Sequence, residues 1–170
     1  FPLGRLAAAE LRLVLRQRRI GWWLLLLGLW IAQAFAPAKG QVFAMVIAWL
    51  MALDVFARAG LREKDTGTTA LVFTAPGAGW RLLLARILVS ATLALALVAP
   101  SLLRALPGTT ALAIVAVAMS VAVAGLALAA LCRNPRPYEL AMVFLAYIAV
   151  QDDATLNPLA DPALTLARHA

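Results

Sequence analysis

One cysteine, one histidine and two lysines, Lys39 and Lys64, stand in 170 residues. Each scarcity removes a class of function. Cys132 by itself excludes an intrachain disulfide and a thiolate metal cluster. His169, the sole histidine, excludes an H-E-x-x-H zinc site, and no metal site is expected. Neither lysine lies in a G-x-x-x-x-G-K-[ST] stretch, so no P-loop can hold ATP. No G-x-S-x-G surrounds Ser90, Ser101 or Ser120, which speaks against a hydrolase. The sequence thus offers no catalytic residue and implies no cofactor. Charge is scarce as well: 14% of residues are charged, against about 25% in a soluble domain.

Apolar residues fill the space. They make up 64% of the chain, and mean hydropathy is +0.90. A soluble fold of this size has too little interior to hide so much apolar surface, so the composition predicts an integral membrane protein of one domain, residues 1–170. The net charge is +7. In a soluble protein that would suggest nucleic acid; here it reads as a topology signal, and no nucleic-acid partner is expected. The opening Phe1 points to a fragment or processed chain. The apolar run after Arg19 is too long for the core of a cleavable signal peptide.

Charges divide the sequence into apolar blocks. Residues 20–38, IGWWLLLLGLWIAQAFAPA, are uncharged. Further blocks run from Lys39 to Arg58, broken by Asp54, from Arg86 to Arg104, from Arg104 to Arg133, and from Glu139 to Asp152. A helix needs about 20 predominantly apolar residues to cross the hydrocarbon core. Continuous rather than alternating runs disfavour a β-barrel. The reading is an all-α polytopic membrane protein with about five transmembrane helices, near 20–37, 41–58, 82–104, 109–132 and 138–151. The last is the shortest. Pro100 is expected to kink or end the third. The fourth is rich in Ala, Val and Gly, which permits close helix packing but also matches the bias of the whole chain.

Basic residues set the orientation. With a cytoplasmic N-terminus, Arg5, Arg12, Arg16, Arg18, Arg19, Arg58, Arg62, Lys64, Arg81, Arg86, Arg133 and Arg136 lie inside. Only Lys39, Arg104 and Arg168 fall outside. Five spans from that start leave the C-terminus outside, and a sixth is expected beyond Ala170.

Residues 3–19 form a separate helix in this reading. Arg5, Arg12, Arg16 and Arg19 share one narrow face, and apolar side chains interrupted by Glu10 and Gln17 cover the rest. That pattern predicts an amphipathic helix in the headgroup region, in contact with membrane lipids. A helical extension of the first span is the alternative. Trp22 and Trp23 follow the arginines, where an aromatic belt is expected.

Between the second and third spans lies a connection at 59–81 with its own pattern. The charged stretch Arg62-Glu63-Lys64-Asp65 leads into Thr66-Gly67-Thr68-Thr69, then Ala70-Leu71-Val72-Phe73, then Thr74-Ala75-Pro76. Thr66 or Thr68 can cap a short helix, and Pro76 ends it. This spacing resembles the first cytoplasmic loop of permeases of ABC-2 type exporters, R-E-x-x-x-G-T-x-x-L-x-x-x-x-P. The matching motif covers about fifteen residues; the rest of the likeness is architectural. The family has six spans where five are counted here. The resemblance implies that the loop is a coupling helix docking an ABC ATPase subunit, with Glu63, Thr66, Gly67, Thr68, Leu71, Phe73 and Pro76 at the contact. It also implies a second permease copy or homologous half, a bacterial inner membrane, and export powered by the partner's ATP hydrolysis. A transport subunit of this kind is not itself an enzyme. The rival reading is a helical membrane scaffold that docks a cytoplasmic partner and moves nothing.

A few polar residues stand out. Asp54 is the one acid inside a span. Pairing with Arg58, four residues on, is one explanation, and a transport or gating role for Asp54 and Arg58 is the other. Asp152 and Asp153 end the last span in water, line an exit path or bind cations. Cys132–Pro137 is a stiff basic loop, either topology charge or a second partner contact. No polar stripe distinguishes lipid, drug, peptide or polysaccharide as the substrate.

Overall fold

The computed structural model describes residues 3–59, 61, 78–151 and 156–169, and every regular element among them is helical. In chain order the helices are α1 (Leu3–Arg16), α2 (Ile20–Phe35), α3 (Ala38–Met51), α4 (Leu53–Ala59), α5 (Ala78–Leu97), α6 (Ala99–Ala105), α7 (Thr109–Cys132), α8 (Arg136–Val150) and α9 (Pro162–His169). Two of them, α5 and α7, are long and apolar enough to cross a membrane. A third candidate arises if α3 and α4, bent by 43° at Ala52, count as one span.

Local chemistry places the breaks. Ala36, ahead of Pro37, is extended (φ −69, ψ 154), because proline disfavours a helical residue before it. Pro37 is the N-cap of α3. Pro100 stands in the first turn of α6, where a missing N–H costs nothing; the expected break at this proline is real, with Val98 between α5 and α6. The far end of α7 closes on Arg133, a non-glycine residue in the left-handed region (φ 50). Asn134 follows, its Oδ1 accepting the Arg136 N–H at 3.1 Å. Asp161 caps α9 by accepting the Leu164 N–H at 2.9 Å.

The bundle is built around α7, which touches α4, α5, α6, α8 and α9. Its buried positions are mostly small: Ala111, Ala113, Ala118, Ala122, Gly125 and Ala129. Small side chains bring the neighbouring backbones close. The tightest point is Gly125. A Cβ there would lie 2.8 Å from the Phe56 Cβ and 3.1 Å from the Tyr138 ring. Trp49, Phe56, Met45, Leu97 and Tyr138 are fully buried and form the core. Outward faces are apolar too, with Leu24, Leu27 and Ile31 of α2 and Leu140, Phe144 and Tyr147 of α8 exposed.

The N-terminal helix ends at Arg16, three residues short of the expected 3–19. Arg19 therefore leaves the arginine face and becomes the N-cap of α2.

Candidate functional site

Arg18 sits at the bend between α1 and α2 and gathers three contacts. Its Nη1 donates to Asp54 Oδ2 at 2.9 Å and to Oδ1 at 3.2 Å. Its Nε donates to the Val14 carbonyl at 3.4 Å. Its guanidinium carbon lies 5.8 Å from the centre of the Trp22 ring, within cation–π range. Asp54 opens α4. The ion pair thus fastens the start of α2 to the first turn of α4. The side chains are 15% and 48% exposed, so water screens the carboxylate more than the guanidinium.

The local pairing of Asp54 with Arg58 does not form. Arg58 is exposed in the last turn of α4, and the Asp54 carboxylate turns to Arg18 instead. An i,i+4 pair on an exposed surface is worth only about 0.3–0.5 kcal/mol. A part-buried, charge-assisted bond that also fills the α1–α2 bend outweighs it. The sequence alone presents Arg18 only as topology charge. The missed signal is a lone acid in an apolar run, which needs a cation from somewhere in the fold.

A second ion pair joins α1 to α5. Glu10 Oε1 lies 3.9 Å from Arg86 Nη2, with side chains only 12% and 8% exposed. Ala7 packs beside it on Ala85 and Val89, flanked by Leu6 and Leu11. A charge this deep is costly unless paired. Glu10 is therefore an anchor and not a mere interruption of the apolar face. Together the two pairs tie the N-terminal region to α4 and to α5, the helices on either side of residues 62–77.

At the far end of α2 a polar knot closes the bundle. Gln33, fully buried, donates from Nε2 to the Leu97 carbonyl at 3.0 Å. Its Oε1 accepts from Ser101 Oγ at 3.1 Å. Arg104 Nη1 donates to the carbonyls of Gln33 and Ala36, at 2.8 and 3.0 Å, and so satisfies the last turn of α2. Sequence reasoning passed over Gln33, although it is the one side-chain amide in an uncharged run of nineteen residues, 20–38.

Three further features complete the polar map. His169 Nδ1 lies 2.8 Å from Ser120 Oγ, so the histidine is seated against the middle of α7 and is not a loose terminal residue. Tyr138 donates to the Val121 carbonyl at 3.0 Å. A cleft of about 340 Å³ opens between α3 and α8, lined by Lys39, Gly40, Val42, Phe43, Ala149 and Val150. Among the described residues no group of His, Cys, Asp or Glu could hold a metal ion.

The proposed docking residues Glu63, Thr66, Gly67, Thr68, Leu71, Phe73 and Pro76 lie outside the described residues, as do Asp152 and Asp153. Comparison with family models, with curated proteins and with solved structures finds no match.

Proposed function

We propose that this chain is the membrane-spanning permease subunit of an ABC-2 type exporter. The observation that carries the reading is the spacing Arg62-Glu63-x-x-x-Gly67-Thr68-x-x-Leu71-x-x-x-x-Pro76, set between two groups of apolar helices. In this reading 62–76 is the coupling segment that docks an ATPase subunit. The ion pairs Arg18–Asp54 and Glu10–Arg86 support it, since they join both flanks of that segment to one N-terminal body. A movement of the partner would then reach α4 and α5 together as a rigid-body displacement.

The finer architecture belongs to the same proposal. Five spans cross a bacterial inner membrane from a cytoplasmic N-terminus: α2, α3 with α4, α5 with α6, α7, and α8. α2 has 16 residues and is about 24 Å long at 1.5 Å per residue. It spans a bilayer of about 30 Å with help from flanking residues and local thinning. α1 is an amphipathic helix at the cytoplasmic interface. A second permease copy or homologous half completes the pathway, and ATP is hydrolysed on the partner.

Co-purification from native membranes in mild detergent tests this, with ATPase activity measured on whatever accompanies the chain. Glu63→Arg and Gly67→Trp are run beside the parent. An ATPase that follows the parent and is lost from both variants supports the exporter. No ATPase, or full retention by the variants, moves the scaffold reading ahead.

A further inference from the structure

The face of α1 turned away from the bundle carries three arginines. Arg5, Arg12 and Arg16 fall within an arc of about 40° on a helix of 3.6 residues per turn. That arc lies opposite Ala7 and Val14, the two buried residues of the helix. All three arginines are exposed, as is Arg19 just beyond them. Their side chains have no hydrogen-bond or ion-pair partner among the described residues. Among the described residues Glu10 is paired with Arg86 and Asp54 with Arg18. Among the described residues the arginine face is therefore uncompensated positive charge. Ala8 and Ala9 are exposed beside it, so no bulky side chain stands between the guanidinium groups.

Apolar surface adjoins the charge. Leu13 on the flank of the arc is 53% exposed, Ile20 at the start of α2 is 79% exposed, and Trp23 is 42% exposed. A nucleic acid or an acidic peptide would leave these residues unused. A phospholipid uses both parts, its phosphate meeting the guanidinium forks and its chains meeting Leu13, Ile20 and Trp23.

We propose that the outward face of α1, with Arg5, Arg12, Arg16 and the adjoining Arg19, is a binding surface for the headgroups of anionic phospholipids such as phosphatidylglycerol. It rests on the membrane part of the function proposed above and not on the ATPase partner. Because α1 is fastened to α5 through Glu10–Arg86, and the α1–α2 bend to α4 through Arg18–Asp54, bound lipid holds both helices in their seats. The full chain is then more stable in an anionic bilayer than in a neutral one.

The test compares the full chain with Arg5→Gln/Arg12→Gln/Arg16→Gln in nanodiscs of phosphatidylcholine alone and of phosphatidylcholine with phosphatidylglycerol. Bound lipid is counted by native mass spectrometry, and melting is followed by intrinsic tryptophan fluorescence. The expected parent retains phosphatidylglycerol selectively, melts later in the anionic discs, and loses both effects as salt rises. Each arginine removed weakens phosphatidylglycerol binding by about fivefold. Equal melting of parent and variant in phosphatidylcholine alone shows that the variant is folded. If the variant fails there, the single changes Arg5→Gln, Arg12→Gln and Arg16→Gln take its place, and each must weaken the preference. Inorganic phosphate added to the parent in phosphatidylcholine should reproduce neither effect; if it does, the surface is a free-anion site and the proposal falls. It falls equally if the parent shows no lipid preference, or if the folded variant keeps it. Loss of the ATPase in the pull-down leaves all of these readouts standing.

Discussion

Asp54 is held by Arg18, thirty-six positions earlier in the chain, and not by Arg58 on its own helix. The pair joins the α1–α2 bend to the first turn of α4 and leaves the cation mostly buried. Its removal should therefore be felt in stability first. Arg18→Ala should lower stability by about 1–2 kcal/mol, after discounting the usual worth of a charged hydrogen bond for the half-exposed carboxylate. Asp54→Asn should cost less, and Arg58→Gln should leave melting in detergent unchanged. A double-mutant cycle should find coupling between positions 18 and 54 and none between 54 and 58. The opposite result would restore the local pair.

Gly125→Ala should destabilise by about 1–3 kcal/mol, as overpacking does. The added methyl group meets the Phe56 Cβ at 2.8 Å and its backbone carbon at 3.1 Å. Phe56→Ala should not rescue it, because both of those atoms remain. Gly28→Ala, whose Cβ meets nothing within 4 Å, should be neutral or stabilising by up to about 1 kcal/mol through helix propensity. Melting temperatures of the three variants and the double variant decide the point.

Gln33→Leu should cost about 1–3 kcal/mol, the penalty for leaving buried polar atoms without partners. It strips the Leu97 carbonyl and Ser101 Oγ of their bonds at once. Adding Ser101→Ala should cost less than the sum of the two single changes, since the second orphan has then been removed. Additivity would mean that the two side chains act independently.

Cys132, the only cysteine, is exposed at the end of α7 and gives a background-free topology probe. A membrane-impermeant maleimide should label it in inside-out vesicles and not in intact spheroplasts. In a Cys132→Ser background, Lys39→Cys should show the reverse. Labelling of Cys132 from outside would invert the proposed orientation.

Much of the helix plan was legible in advance. Pro100 forecast a break because a ring without an N–H cannot continue a helix. The uncharged run from residue 20 forecast α2, since nothing in it requires water. The partners of Glu10, Asp54, Arg86 and Gln33 were not legible. A side chain's neighbour on its own helix is written into the spacing, but these four bond across helices 36 to 76 positions apart. Gly125 was visible only as one more small residue among many. Its role emerged when α4 came to lie against it.

Composition and hydropathy by themselves determined the all-helical class, the positions of the apolar runs and the surplus of positive charge. These depend on what each residue prefers locally and need no knowledge of its neighbours in space. Tertiary structure alone decided which acid meets which arginine, and so which arginines stay uncommitted. Arg18 and Arg86 are consumed by ion pairs inside the fold, while Arg5, Arg12 and Arg16 face outward. In the linear sequence helical spacing sets Arg5, Arg12 and Arg16 on one face, but nothing there marks Arg18 and Arg86 as anchors. The five become anchors or a binding surface only when the packing of α1 on α5 assigns each one an interior or an exterior.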